Sequence, residues 1–129
     1  MKSRMGNRGW IMAAAALAGL VAAAGCHSYH IETTVENRTG GAIQLLEVDY
    51  PSASFGADSL AAEGVFHYRI QLRGSGPIKV LYTVTSASRA QQSVQIEGPT
   101  LTERQEGRLQ IVLLPGGKAE FHPELTPAP

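Results

Sequence analysis

The sequence has one cysteine, one tryptophan and no surplus of either charge, with 11 Lys plus Arg against 11 Asp plus Glu in 129 residues. A single cysteine excludes a disulfide framework and a Cys-rich zinc cluster. Balanced charge excludes a polybasic nucleic-acid binder, whose affinity comes from a large excess of Lys and Arg. The long apolar run, Trp10 to Gly25, has 16 residues, many of them Ala. That is short of the roughly 20 needed to span a bilayer, which argues against a permanent transmembrane helix. The length suits one domain.

The charge balance averages over unlike parts. Lys2, Arg4 and Arg8 precede the apolar run, and every acid lies beyond residue 31. A basic start, a short apolar stretch and small residues at its exit describe a secretory signal. The exit itself, Ala23-Ala24-Gly25-Cys26, resembles the lipobox of bacterial lipoproteins, although Ala23 stands where that family usually has Leu. The resemblance covers the first 26 residues. It implies cleavage before Cys26, alkylation of the thiol with diacylglycerol and acylation of the new amino terminus. Two or more acyl chains anchor stably, at about 0.8 kcal/mol per buried methylene. His27 follows the cysteine instead of the Asp that retains many such proteins at the inner membrane, so the resemblance implies an outer-membrane anchor facing the periplasm. The expected organisation is a signal peptide over 1–25, a lipid-anchored tether over 26–28, a folded domain over 29–122 and a loose tail over 123–129.

Beyond the anchor the chain reads as strands and turns. Ile31, Thr33 and Val35 alternate with Glu32, Thr34 and Glu36, and Asn37-Arg38-Thr39-Gly40-Gly41 is turn chemistry. Asn37-Arg38-Thr39 also matches a glycosylation sequon, but a bacterial lipoprotein is a poor substrate and the turn reading is preferred. Ile43 to Tyr50 forms a second strand, where adjacent Leu45 and Leu46 signal either a bulge or burial on both faces. Pro51 to Ser59 reads as a loop or short edge segment pinned by Phe55. Phe66, Tyr68, Ile70 and Leu72 alternate with His67, Arg69, Gln71 and Arg73, and Ile78, Val80, Tyr82 and Val84 share a face in the next strand. Direct pairing of those two strands would set Leu72 opposite Ile78, Ile70 opposite Val80, Tyr68 opposite Tyr82 and Phe66 opposite Val84. Gln91 to Glu97 is a shorter strand ended by Gly98-Pro99, and Thr100 to Gly107 reads as a loop or one helical turn. Leu109, Ile111 and Leu113 alternate before Pro115-Gly116-Gly117, which places Leu113 near Ala119 and Ile111 near Phe121. Seven or eight short strands predict an all-β fold, a small antiparallel sandwich, with a closed barrel as the alternative. The architecture resembles immunoglobulin-like and fibronectin-like domains, without the Cys…Trp…Cys hallmark, and carries no function by itself.

Chemistry-bearing residues are sparse. His27, His30, His67 and His122 raise a periplasmic metal-handling alternative, but no third donor stands at a ligand spacing, so no metal or other cofactor is expected. Ser52, Ser54, Ser86, Ser88 and Ser93 lack a nucleophile-elbow context, and Glu47 with Asp49 reads as a solvated strand face. Gly74-Ser75-Gly76 precedes a strand and not a helix, which excludes a phosphate loop. No enzyme is expected. His67, Arg69, Arg73 and Lys79 would form a contiguous interaction patch if the two strands paired, fit to meet anionic headgroups, an acidic envelope polymer or a protein. The sequence therefore points to a lipid-anchored, non-catalytic binding or structural module of the cell envelope.

Overall fold

The computed structural model describes residues 28–86 and 88–126. The leader, Cys26 and His27 lie outside them. Among the described residues no helix is long and apolar enough to cross a membrane. Eight strands are formed: β1 (Ile31–Asn37), β2 (Ile43–Tyr50), β3 (Ala53–Leu60), β4 (Val65–Ile70), β5 (Gly76–Thr85), β6 (Gln91–Leu101), β7 (Gly107–Leu114) and β8 (Lys118–Leu125). They make two four-stranded sheets, ordered β4-β1-β7-β8 and β3-β2-β5-β6. The arrangement is sandwich-like, and it is not the closed barrel weighed above.

Period-two alternation decides which side chains face inward. Ile31, Val35, Ile70, Leu109, Ile111 and Leu113 from the first sheet are fully buried against Ile43, Val48, Ile78, Val80 and Tyr82 from the second. The β7–β8 hairpin has the expected register, with Ile111 opposite Phe121 and Leu113 opposite Ala119. The strand also continues past the expected end of the domain. Leu109 pairs with Pro123, Arg108 with Glu124 and Gly107 with Leu125, so residues 123–125 belong to the sheet and not to a loose tail.

The expected β4–β5 hairpin does not form. β4 pairs antiparallel with β1, Ile31 opposite Ile70 and Val35 opposite Phe66, while β5 lies in the other sheet between β2 and β6. Alternation fixes a strand's inward face but not its neighbour. The five residues 71–75 reach at most about 17 Å, enough to cross the roughly 10 Å between packed sheets. A second departure is the parallel pairing of β1 with β7, Ile31 beside Gly107 through Asn37 beside Leu113, in a fold expected to be antiparallel.

Bulges settle two ambiguous segments. The β2 register against β5 shifts between Gln44 and Glu47. Leu45 there takes a left-handed φ of 52° and is 67% exposed, while Leu46 is buried. Of the two readings of Leu45-Leu46, the bulge is correct. β6 likewise runs through Gly98-Pro99 to Leu101, with its irregularity opposite Pro77/Lys79. Proline is tolerated because β6 is an edge strand, where its missing N–H interrupts no ladder. Pro51–Ser59 is mostly the edge strand β3, with Phe55 buried as its pin.

No backbone ladder closes the sides of the sandwich. At the β3/β4 side, the Phe55 ring stacks on Tyr68 at 4.5 Å and on Phe66 at 6.0 Å. At the β6/β8 side, Phe121 lies so close to Gly98 that an added Cβ would fall 2.6 Å from both its ring and the Ile78 side chain.

One polar side chain joins the connections between sheets. Asn37 is fully buried. Its Nδ2 donates to the carbonyls of Gly41 (2.9 Å), Ala61 (3.0 Å) and Leu60 (3.1 Å), with one of its two hydrogens shared. Its Oδ1 accepts from the Thr39 hydroxyl (2.7 Å) and amide (3.1 Å). Its backbone also bonds Gly64 and Glu63. The sequon match is thus a structural turn whose amide is buried and fully engaged.

Ile111→Ala should cost about 2–5 kcal/mol, and Phe66→Ala less, because Phe66 is only half-buried. Equilibrium denaturation checks both. Asn37→Ala should cost roughly 2–4 kcal/mol by leaving the buried Leu60 carbonyl and two part-buried carbonyls without their donor. In Asn37→Asp a carboxylate would face three carbonyl oxygens, raising its folded-state pKa above the unfolded value near 3.9. That variant should lose stability as pH rises from about 4 towards 7, measured against the wild type by urea titration at each pH.

Candidate functional site

The outer face of the β4-β1-β7-β8 sheet carries an array of polar side chains that the register brings together. Two rows cross all four strands. Arg69, Glu32, Arg108 and Glu124 form one, alternating in charge, and His67, Thr34, Gln110 and His122 form the next. All of them except Arg69 line a shallow concavity of about 420 Å³. Each strand contributes because its inward residues are held by the core, which leaves the alternate positions facing water.

The face is held by few polar contacts. Arg69 Nε donates to Glu32 Oε1 at 2.7 Å. Glu36, one row on, accepts from Arg38 at 2.9 Å and more distantly from Gln110 at 3.4 Å. His122 Nε2 lies 3.2 Å from Glu120 Oε2. Arg108 makes no ion pair among the described residues, although Glu32 and Glu124 flank it in register. A guanidinium with five donors therefore stands in the middle of the face.

The patch expected from the sequence is split. His67 and Arg69 are on this face, but Lys79 lies on the other sheet, where Asp49 and Glu97 are its register partners. Arg73 sits in the loop after β4, lining a separate concavity with Tyr29 and Arg104. The reason is the missing β4–β5 pairing, since Gln71 never comes opposite Lys79. The residues that complete the observed rows are Glu32, Thr34, Arg108, Gln110, His122 and Glu124. Alternation could mark them as outward, but only the parallel β1–β7 contact sets them beside one another.

The histidines do not converge. His67 and His122 occupy opposite edges of one row, three strand spacings apart, about 14 Å. Among the described residues no three His, Cys, Asp or Glu side chains come together as a metal site. Ser86 and Ser88 hydroxyls bond each other at 2.9 Å in an exposed loop. Glu47 and Asp49 lie on the outer face of β2, opposite Leu81 and Lys79 of β5.

No family model, no curated protein and no solved structure matches this chain.

The Arg69–Glu32 side chains are 63% and 54% exposed, and exposed pairs contribute little. Glu32→Ala and Arg108→Ala should each change unfolding free energy by less than about 0.5 kcal/mol, measured by chemical denaturation. A larger loss would assign the rows to stability instead of recognition.

Proposed function

We propose that this chain is a lipid-anchored, non-catalytic binding or structural module of the cell envelope, held at the outer membrane and facing the periplasm. The observation that carries the reading is one of position: Cys26, at the end of a basic and apolar leader, stands five residues before Ile31, where β1 begins. Five residues reach at most about 17 Å. Acylation at Cys26 would hold the sandwich within roughly one strand length of the bilayer, and the leader, helical while it crosses the membrane, would be removed.

The non-catalytic part of the reading is supported by the separation of the candidate serine hydroxyls, on the other sheet and in the Ser86–Ser88 loop, from the carboxylates and histidines of the polar face. The binding part is supported by the four-strand polar face. Arg108 there is available to a partner's carboxylate or carbonyl, and we take an envelope protein as that partner. Loss of the contiguous basic patch removes the main argument for an anionic polymer. The domain is also proposed to be immunoglobulin-like in the broad sense. Support comes from the chain's passing between sheets at β1–β2, β3–β4, β4–β5 and β6–β7, with hairpins only at β2–β3, β5–β6 and β7–β8.

Mass spectrometry of the protein from its native host should find Cys26 as the first residue, carrying acyl chains. Cys26→Ser should abolish radiolabelled palmitate incorporation and leave the leader attached. A wild-type chain recovered with its leader intact and its thiol unmodified would overturn the assignment.

A further inference from the structure

At the end of the sandwich where β1 finishes, a cleft of about 550 Å³ opens between the sheets. Its walls include Tyr82 and Val84 of β5, Val94 of β6, Leu114 at the end of β7 and Pro115 in the β7–β8 turn. Half-buried Thr39 and exposed Gly41 and Gln92 also line it. β1 starts at the other end of the domain and finishes at this one, so the cleft lies opposite the end where β1 begins.

Three observations distinguish the cleft from a packing fault. First, none of the residues lining it carries a charge. Second, Tyr82 is only 2% exposed, and its hydroxyl has no hydrogen-bond partner among the described residues. No buried side-chain oxygen or nitrogen is left unpaired, so this hydroxyl must be reachable by solvent. Burial raises the phenol above the ordinary tyrosine range, which keeps it a neutral donor. Third, a Cβ at Gly41 would meet nothing within 4 Å, and Gly41 does not take a left-handed φ. Neither packing nor backbone conformation requires glycine there, and a larger side chain at this lining position would enter open space.

We propose that this cleft binds a small uncharged ligand with an apolar body and an amide or hydroxyl head group. The volume is that of small-molecule sites, which pair apolar walls with a few oriented polar groups. Val84, Val94, Leu114 and Pro115 would take the apolar body. The Tyr82 hydroxyl would bond the head group, with Thr39 and Gln92 as further polar lining. An ionised ligand would lose hydration without gaining a counter-charge, and the cleft discriminates against it for that reason. The site is independent of lipid anchoring and of the polar face.

The test uses the full chain in zwitterionic lipid nanodiscs, with saturation-transfer NMR reading the ligand and empty nanodiscs subtracted. The probe is N-acetyl-leucinamide. N-acetyl-leucine supplies the matching anion and leucinamide the matching cation. The neutral amide should bind, and both charged analogues should bind at least about tenfold more weakly. Tyr82→Phe should weaken the neutral amide about threefold or more, with an unchanged thermal melt. Gly41→Leu, which adds bulk only to open space, should abolish the signal. No binding of the neutral amide up to about 10 mM overturns the proposal. So does equal binding of all three probes, or an undiminished signal in either variant.

Discussion

The buried amide of Asn37 is the constraint on which the layout of this domain rests. At this position the chain leaves one sheet for the other, and the loop bringing it back from β3 to β4 passes alongside. Both segments present backbone carbonyls to the Asn37 amide, that of Leu60 in a buried contact and those of Gly41 and Ala61 in part-buried ones. Carboxamide is the side-chain group that donates to them while accepting from Thr39. Serine is too short and offers one hydrogen, and aspartate offers none when ionised. Because one side chain bonds the β1–β2 turn through Gly41 and the β3–β4 loop through Leu60 and Ala61, the two crossings hold each other in place.

Elsewhere the sheets are held by side chains alone. Stacked rings of Phe55, Tyr68 and Phe66 close one long side, and Phe121 seated over Gly98 closes the other. Aromatic rings suit such positions, since each covers much area for few lost rotamers and gains from ordered stacking. The ends are built differently. The end where β1 finishes retains open space between the sheets, bounded by the Asn37 turn on one side and the Pro115–Gly117 turn on the other.

This construction separates structural from interaction duties. Stability comes from the inward residues and the Asn37 network. The Arg-Glu-Arg-Glu and His-Thr-Gln-His rows add little to it, because exposed cross-strand charges in water are strongly screened. The polar face along the side and the neutral cleft at the end where β1 finishes are thus physically distinct surfaces. A change in one need not disturb the other.

What the sequence by itself determined was the content of each strand. Leu109, Ile111 and Leu113 alternate unambiguously, and a three-residue turn follows, so the inward face and register of the β7–β8 hairpin were legible. In such a hairpin local turn geometry and the apolar pattern act on the same few residues. The leader and Cys26 lie outside the described residues, and their reading rests on the linear pattern alone. Tertiary structure alone decided which strands became neighbours. Phe66–Leu72 and Ile78–Val84 match as well as a true hairpin would, yet each found a better-covered place in a different sheet. The parallel β1–β7 contact joins segments some 76 positions apart, and no local signal encodes it. The polar face depends on that contact, and the end cleft on turns distant in sequence. Alternation records how each strand meets the core, whereas neighbours are chosen by the packing of the whole chain.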